Sequence, residues 1–339
     1  MAYHTTPYLL LFLPAALLFY QITPAKWRSY TLLIFSYLFF WSFSEKLIIY
    51  LIGTTFLTHH ICIWMDTMDK RDKRKKRVFQ LGILLLLGTI LCLKYRNFFF
   101  GNVSKLAMVL HIDWSYQDQL IFLPIGISFY TLSAIGYMAD VYWGKVKAEY
   151  SLVKTALFLG FFPVIVEGPI CRWEDVEDTL FKNESVKAEN VFKGCYRIIW
   201  GLFKKMIIAD RLAVLVDKVY VGYESYSGAV IVAAAISYTI QLYMEFSGCM
   251  DMVIGSAGLF GIRLPENFSQ PLFAKTCTDF WKRWHITLGV WFKNYIFYPV
   301  SISKTARKWN KFTRKHFKGD FGKYVARMGI AAMALFPVW

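Results

Sequence analysis

From its first residues onward the chain alternates long apolar runs with short charged connectors. Tyr8 to Ile22, Tyr30 to Phe43, Leu47 to Trp64 and Val78 to Leu93 are four such runs. Each approaches the roughly 17–25 residues a helix needs to cross a hydrocarbon core of about 30 Å. Between the third and fourth lies the densest charge block of the chain, Asp69-Lys70-Arg71-Asp72-Lys73-Arg74-Lys75-Lys76-Arg77. Connectors rich in Lys and Arg stay on the cytoplasmic side. That rule puts this block and the Lys26/Arg28 connector inside and the N-terminus outside.

The pattern then becomes irregular. A mixed, polar outside segment includes Asn102 to Gln119, and the chain re-enters with Leu120 to Met138, which carries Leu123-Pro124-Ile125-Gly126 near its start. Proline and glycine at membrane depth require neighbouring protein to satisfy the freed backbone, which places this element inside a bundle. Thr155 to Val166 is too short to span and reads as a re-entrant half-helix. Glu174 to Glu189 is acidic and soluble in character, and Val191 to Ile208 is helical but interrupted by Lys204 and Lys205. The apolar stretch from Gly228 to Gly261 is broken at Glu245-Phe246-Ser247-Gly248, which predicts two helices meeting there, the second ended by Leu264-Pro265-Glu266-Asn267. Lys304 to Lys323 forms a basic connector, and Tyr324 to Trp339 begins another span. No internal repeat is visible, which weighs against a secondary transporter.

Composition agrees with a membrane chain. Hydrophobic residues make up 56% and aromatics 19% of the 339 residues, against about 45–50% apolar in a soluble domain. The net charge of +16 would suit nucleic acid if it were clustered on a folded domain. Because the basic residues sit in connectors, with 66–77 and 304–323 read as cytoplasmic loops, no nucleic-acid partner is expected and membrane lipids are. The six cysteines are scattered without a CxxC pair, so neither a disulfide nor a metal framework is expected. The first run lacks a basic leader and a cleavage site and reads as a retained span.

Four places put polar groups within apolar surroundings, where ionisable residues are functional candidates. In Thr278 to Leu288, helical spacing predicts Trp281, Trp284, His285 and Leu288 on one face and an Asp279–Arg283 pair on another. His285 suits general base work because an imidazole can take up a proton near neutral pH; a satisfied interfacial histidine is the competing reading. Gln241, Glu245 and Asp251 flank the expected helix break and suit helix-end caps better than catalysis. In Glu167-Gly168-Pro169-Ile170-Cys171-Arg172, the Gly-Pro turn allows close approach, and Arg172 is fit either to hold an anion or to lock the turn to an acid. Lys204, Lys205, Lys282 and Arg283 could receive the phosphates of an acyl carrier or, for the first two, anionic headgroups.

These residues carry a resemblance. Leu123-Pro124-Ile125-Gly126-Ile127-Ser128-Phe129-Tyr130, Asp140-Val141-Tyr142, Glu167 to Arg172, Gly201-Leu202-Phe203-Lys204-Lys205, Ile208-Ala209-Asp210, Phe246-Ser247-Gly248 with Asp251, Leu264-Pro265-Glu266-Asn267-Phe268 and Trp281 to Leu288 occur in the order found in membrane-bound O-acyltransferases. The chain resembles that family's bacterial branch, the alginate O-acetylases and the D-alanyl transferases of teichoic acids. The resemblance implies an all-α membrane protein, a ring or funnel of spans with re-entrant elements, forming one polytopic domain over 1–339 with N-terminal spans in 1–118 and the core in 119–339. It implies acyl transfer from a cytosolic thioester to a cell-surface hydroxyl, with no bound cofactor and acyl-CoA as donor. Tyr295-Ile296-Phe297-Tyr298-Pro299 favours acetyl-CoA, a polysaccharide acceptor and a separate extracytoplasmic partner protein. His285 corresponds to the first of two core histidines, as base or as support; Asp279, Trp281, Arg283, Trp284, Glu245 and Asn267 support the site, and Gly168, Pro169, Arg172 and Lys282 contact substrate. The family's second histidine lies in the span after the basic connector, which Trp339 does not reach, and His316 is a poor substitute. The resemblance thus implies a core incomplete at its C-terminal end.

Overall fold

The computed structural model describes residues 2–69, 72–114, 116–117, 123–317 and 319–335. Among them every regular element is helical, apart from one isolated antiparallel bridge between Phe268 and Trp284. The protein is an all-α membrane protein. The four N-terminal runs are helices α1 (Pro7–Ile22), α2 (Arg28–Ser44), α3 (Ile48–Asp66) and α4 (Lys73–Lys94). Helix α4 starts before its apolar run because Asp72 accepts from the backbone N–H of Arg74 at 2.7 Å and caps a first turn made of the basic block. Leu10, Leu84 and Ile236 are 68%, 68% and 58% exposed. Outward aliphatic surface of this kind is what lipid covers, and Ala25–Asp66, Lys73–Lys94 and Gly228–Leu259 are long and apolar enough to cross a membrane.

Part of the expected polar segment after α4 is helical instead: α5 (Arg96–Val109) takes in Asn102, while Gln119 lies outside the described residues. Leu120 to Phe122 also lie outside them, and the re-entering helix α6 (Ile127–Trp143) begins after a turn through Pro124 to Gly126. Gly126 has φ +79°, and a Cβ there would collide with the carbonyl oxygen of Ile165. Glycine is therefore required twice over at this contact, by backbone conformation and by space. The short element expected over Thr155 to Val166 is helical only in its first part: α7 (Leu152–Gly160) starts earlier, has nine residues and gives way to a turn. Helix α8 (Trp173–Leu180) follows.

The main departure from expectation is α11 (Gly228–Leu259), one continuous helix of 32 residues. The small residues near Gly248 are an interface and not a break. Helix α9 (Ala188–Leu202) runs antiparallel to it, pairing Gly194 with Gly255 and Gly201 with Gly248. A Cβ on Gly201 would lie 2.5 Å from the carbonyl oxygen of Gly248, and one on Gly194 would lie 2.8 Å from that of Gly255. With a glycine one heptad apart on each helix, the two backbones meet, the close packing that small residues permit in membranes. Opposite Gly248 the chain winds as a π-helical turn, Phe203–Ala209, before α10 (Asp210–Val221). This turn is the interruption expected at Lys204 and Lys205.

The chain divides into two compact units, Met1–Pro265 and Glu266–Trp339. The second contains α12 (Cys277–Arg283), α13 (Ile286–Phe292), a π-helical turn over Lys293–Phe297, α14 (Tyr298–Ser301), α15 (Lys304–His316) and α16 (Gly319–Leu335). The expected basic connector is thus mostly helix: Ser303 caps α15 by accepting from the N–H of Ala306 at 3.1 Å.

Substituting Gly201→Ala should lower the thermal stability of the detergent-solubilised protein by about 1–3 kcal/mol, the cost of overpacking a close contact. Gly258→Ala on α11, off the glycine contact, where nothing lies within 4 Å of the added carbon, should leave stability unchanged or raise it by up to about 1 kcal/mol through helix propensity. Equal behaviour of the two variants in a melting experiment would refute the glycine contact.

Candidate active site

In the second unit the chain leaves α12, extends, and turns into α13. Thr276 caps α12 by accepting from the N–H of Asp279 at 3.1 Å, Asp279 accepts in turn from the N–H of Lys275, and Arg283 donates Nε to Asp279 at 2.9 Å. The Asp279–Arg283 pair expected from i,i+4 spacing is present. The single helix expected to carry Trp281, Trp284, His285 and Leu288 on one face is not. Helix α12 ends at Arg283, Trp284 is extended, and His285 sits at φ +46°, ψ +52°, a left-handed conformation uncommon for a residue with a Cβ. Two backbone bonds fix this break: Ser269 N–H donates to Arg283 C=O at 2.9 Å and Ile286 N–H donates to Asn267 C=O at 3.0 Å. Trp284 stacks on Phe280 with centroids 5.6 Å apart and meets Phe268 edge-on, whereas Trp281 is 65% exposed.

Asn267 organises the break. It is 1% exposed, and its side-chain oxygen accepts from Thr287 N–H at 3.1 Å, from the Thr287 hydroxyl at 3.0 Å, and from His285 Nδ1 at 3.1 Å. A backbone N–H can only donate, so the atom facing it is the amide oxygen; an amide oxygen can only accept, so Nδ1 of His285 carries the hydrogen. In the neutral ring Nε2 then bears the basic lone pair. Burial pulls the His285 imidazole down to about pKa 4, because a charged ring is poorly solvated there. At neutral pH it is an uncharged base with a defined tautomer. Thr287 escaped the sequence reading because nothing in its spacing links it to a residue 20 positions earlier.

The first unit holds a separate set of ion pairs across the glycine contact. Asp251 on α11 accepts from Lys204 Nζ at 2.6 Å and from Arg197 Nε at 3.1 Å. Lys205 donates to Glu245 at 2.6 Å and to Asp210 at 2.7 Å. The π-helical turn lets consecutive lysines both reach carboxylates of the neighbouring chain segments. With side chains only 14% and 18% exposed, Lys204 and Lys205 serve internal carboxylates, not a phosphate or a headgroup. Glu245 likewise does not cap a helix end, since α11 has none there. Arg197 was missed; its position one heptad before Lys204, a second cation on an apolar helix, was the available signal.

In the Glu167 to Arg172 turn, a Cβ on Gly168 would strike the Val164 backbone, and Pro169 is buried. Arg172 is held by acids of α8, with Nη2 donating to Asp175 at 2.7 Å and Nη1 to Glu174 at 2.5 Å. This favours the locked turn over an anion clamp, with Asp175 and Glu174 as partners. Glu167 instead accepts from the Cys249 thiol at 3.2 Å. Thus Glu245, Gly168, Pro169 and Arg172 belong to the first unit, while Asn267, Asp279, Trp281, Arg283, Trp284, His285 and the exposed Lys282 belong to the second.

The family model described as "MBOAT, membrane-bound O-acyltransferase family" matches residues 145–314, a stretch that includes both polar clusters. A protein described as "Probable alginate O-acetylase" from Pseudomonas aeruginosa is 33% identical over 297 residues, covering 88% of this chain and 56% of that protein. The "Peptidoglycan O-acetyltransferase" of Helicobacter pylori is 29% identical over 335 residues, covering 88% and 61%. The "Teichoic acid D-alanyltransferase" of Bacillus subtilis is 29% identical over 193 residues, covering 55% and 48%. The chain therefore spans about half the length of the curated relatives it matches, from 48% to 61%.

Replacing Asp251→Asn would remove the charge that Arg197 and Lys204 share. We expect a loss of about 2 kcal/mol, below the ~3–5 kcal/mol of a fully buried broken pair because Arg197 keeps some contact with water. Adding Lys204→Met should recover part of it. A melting temperature in detergent that does not move in Asp251→Asn would contradict the pairing.

Proposed function

Because this chain belongs to the membrane-bound O-acyltransferase family, we propose that it moves an acetyl group from a cytosolic thioester, acetyl-CoA, to a hydroxyl of a cell-surface polysaccharide. The observation that carries the reading is the proton inventory at His285, a neutral imidazole with Nδ1–H held by Asn267 and the lone pair on Nε2. The acceptor hydroxyl oxygen attacks the thioester carbonyl carbon while its proton passes to Nε2. The C–S bond breaks, and the imidazolium returns the proton to the leaving thiolate. With a pKa of about 4, His285 gives up that proton readily to a thiolate whose conjugate acid lies near 8.5. Asn267 keeps the ring oriented throughout, and the left-handed turn and the Phe268–Trp284 wall hold it in place.

Acetyl transfer is favoured over D-alanyl transfer because the similarity to the O-acetyl proteins extends over 88% of the chain, against 55% for the teichoic acid protein. In this reading the protein is a multi-pass protein of the cytoplasmic membrane with its N-terminus outside and segments 66–77 and 304–323 inside, following the positive charge. An extracytoplasmic partner protein completes delivery to the polymer. Within the unit that carries His285, Trp281, Arg283, Trp284 and Asp279 support the site, and Lys282 borders the substrate path.

Membranes carrying the full-length protein as expressed from its gene should esterify the polymer only when acetyl-CoA is supplied, and His285→Ala should reduce the rate at least about 100-fold, the lower range for a lost general base. Polymer movement without acetyl incorporation would instead mark a transporter, and full activity in His285→Ala would remove the assigned role. The rate should be flat from neutral pH down to about 5.5 and fall as pH approaches 4, where the ring gains a proton and loses its lone pair. Asn267→Asp keeps an acceptor but adds a charge that favours imidazolium, so the acid limb should move to higher pH. An unmoved limb in the pH profile of that variant would contradict the contact.

A further inference from the structure

The acyl-transfer reading leaves a strongly charged surface of the second unit unused. On α15 the residues Lys304, Arg307, Lys308, Lys311, Arg314 and Lys315 recur at i, i+3, i+4, i+7, i+10 and i+11. At 100° per residue they fall within a stripe of about 120° running some 16 Å along the helix. All are exposed, and α15 contains no acidic residue. Among the described residues none of the six enters an ion pair, in contrast to Lys204, Lys205 and Arg197, each tied to a carboxylate.

The other side of α15 is packed. Ala306 and Thr313 are fully buried, and the indole nitrogen of Trp309 lies so close to Gly329 of α16 that a Cβ there would collide with it. The stripe is therefore held facing away from α16. Exposed aromatics border it: Phe312 is 49% exposed, and Phe321 and Tyr324, on the first turns of the apolar helix α16, are 62% and 60% exposed. A convex basic stripe edged by aromatics, docked beside an apolar helix, has the anatomy of an interfacial helix. A single soluble phosphate ligand would need donors converging on one point, whereas these six are spread along the helix, with Arg307 donating Nε and Nη2 to Ile302 C=O at 3.2 and 3.1 Å.

We infer that α15 is a surface helix that binds the anionic phospholipid headgroups of the cytoplasmic leaflet, an inference that rests on the topology proposed above for segment 304–323. The stripe meets a negative surface, while Phe312 and Phe321 enter the headgroup boundary. Contact with lipid anchors the unit that carries His285 at the inner membrane surface.

The test uses the full-length protein reconstituted in nanodiscs of phosphatidylcholine and phosphatidylglycerol, with the retained lipids counted by mass spectrometry after purification. The wild type should be enriched in phosphatidylglycerol. A variant with Lys304→Gln, Arg307→Gln, Lys308→Gln, Lys311→Gln, Arg314→Gln and Lys315→Gln should lose that enrichment roughly tenfold, while Lys182→Gln/Lys187→Gln/Lys193→Gln, which neutralises exposed lysines of the first unit, should keep it. Equal enrichment in the six-site variant overturns the inference, as does displacement of the lipid by adenosine 3′,5′-bisphosphate, which would assign the stripe to the phosphates of the donor. A His316→Cys variant labelled by impermeant maleimide from the outer face, above the parent's background, would overturn the topology itself and leave the acyl-transfer chemistry to its own assay.

Discussion

A polar atom turned inward in a chain whose helices present aliphatic surface outward has no water to fall back on, and the partners it must find shape both units of this protein. In the first unit the constraint acts on charge. Asp251 on α11 needs donors for its carboxylate oxygens, and Arg197 and Lys204 reach it because Gly194, Gly201, Gly248 and Gly255 let α9 and α11 touch backbone to backbone. In the second unit it acts on the amide of Asn267. Buried between two short helices, its oxygen is satisfied by Thr287 and His285, and satisfying it fixes the backbone break.

The spans were legible because their signal is additive: a run of apolar residues bounded by Lys and Arg says the same thing at every position. Helices α1 to α4 follow that signal closely, whereas the short α7 starts before its expected first residue and stops well before its expected last one. The errors share a cause. Glu245-Phe246-Ser247-Gly248 looked like the end of one helix because glycine is locally a breaker, yet Gly248 is there for Gly201, a residue of another helix. His285 looked helical because its flanks are good helix formers, yet the chain breaks for the sake of hydrogen bonds to residues 267 and 269. In both places a non-local contact overrides local preference, and a single sequence does not display such contacts.

The residues of the site were found more easily than their roles. The Asp279–Arg283 pair could be read from residue type and spacing, which offered His285 only as a candidate. That Asn267 sets the tautomer could not, because it depends on which hydrogens converge on one oxygen. Lys204, Lys205 and Arg172 show the reverse case: cations that suggested anionic substrates from sequence are spent on carboxylates of the same unit. The stripe on α15 takes no part in such pairing, and its helical periodicity lies within a segment that reads from sequence as a connector.

The account depends most on the state of one ring. Nitrogen-15 NMR of the full-length protein labelled at histidine, with His285→Gln used to assign the signal, reports whether each ring nitrogen of His285 carries hydrogen. The account predicts a protonated Nδ1 and an unprotonated Nε2 at neutral pH, unchanged down to about pH 5.5. An Nε2–H tautomer, or an imidazolium at neutral pH, would contradict it, since the nitrogen offered to the acceptor hydroxyl would then have no lone pair to give.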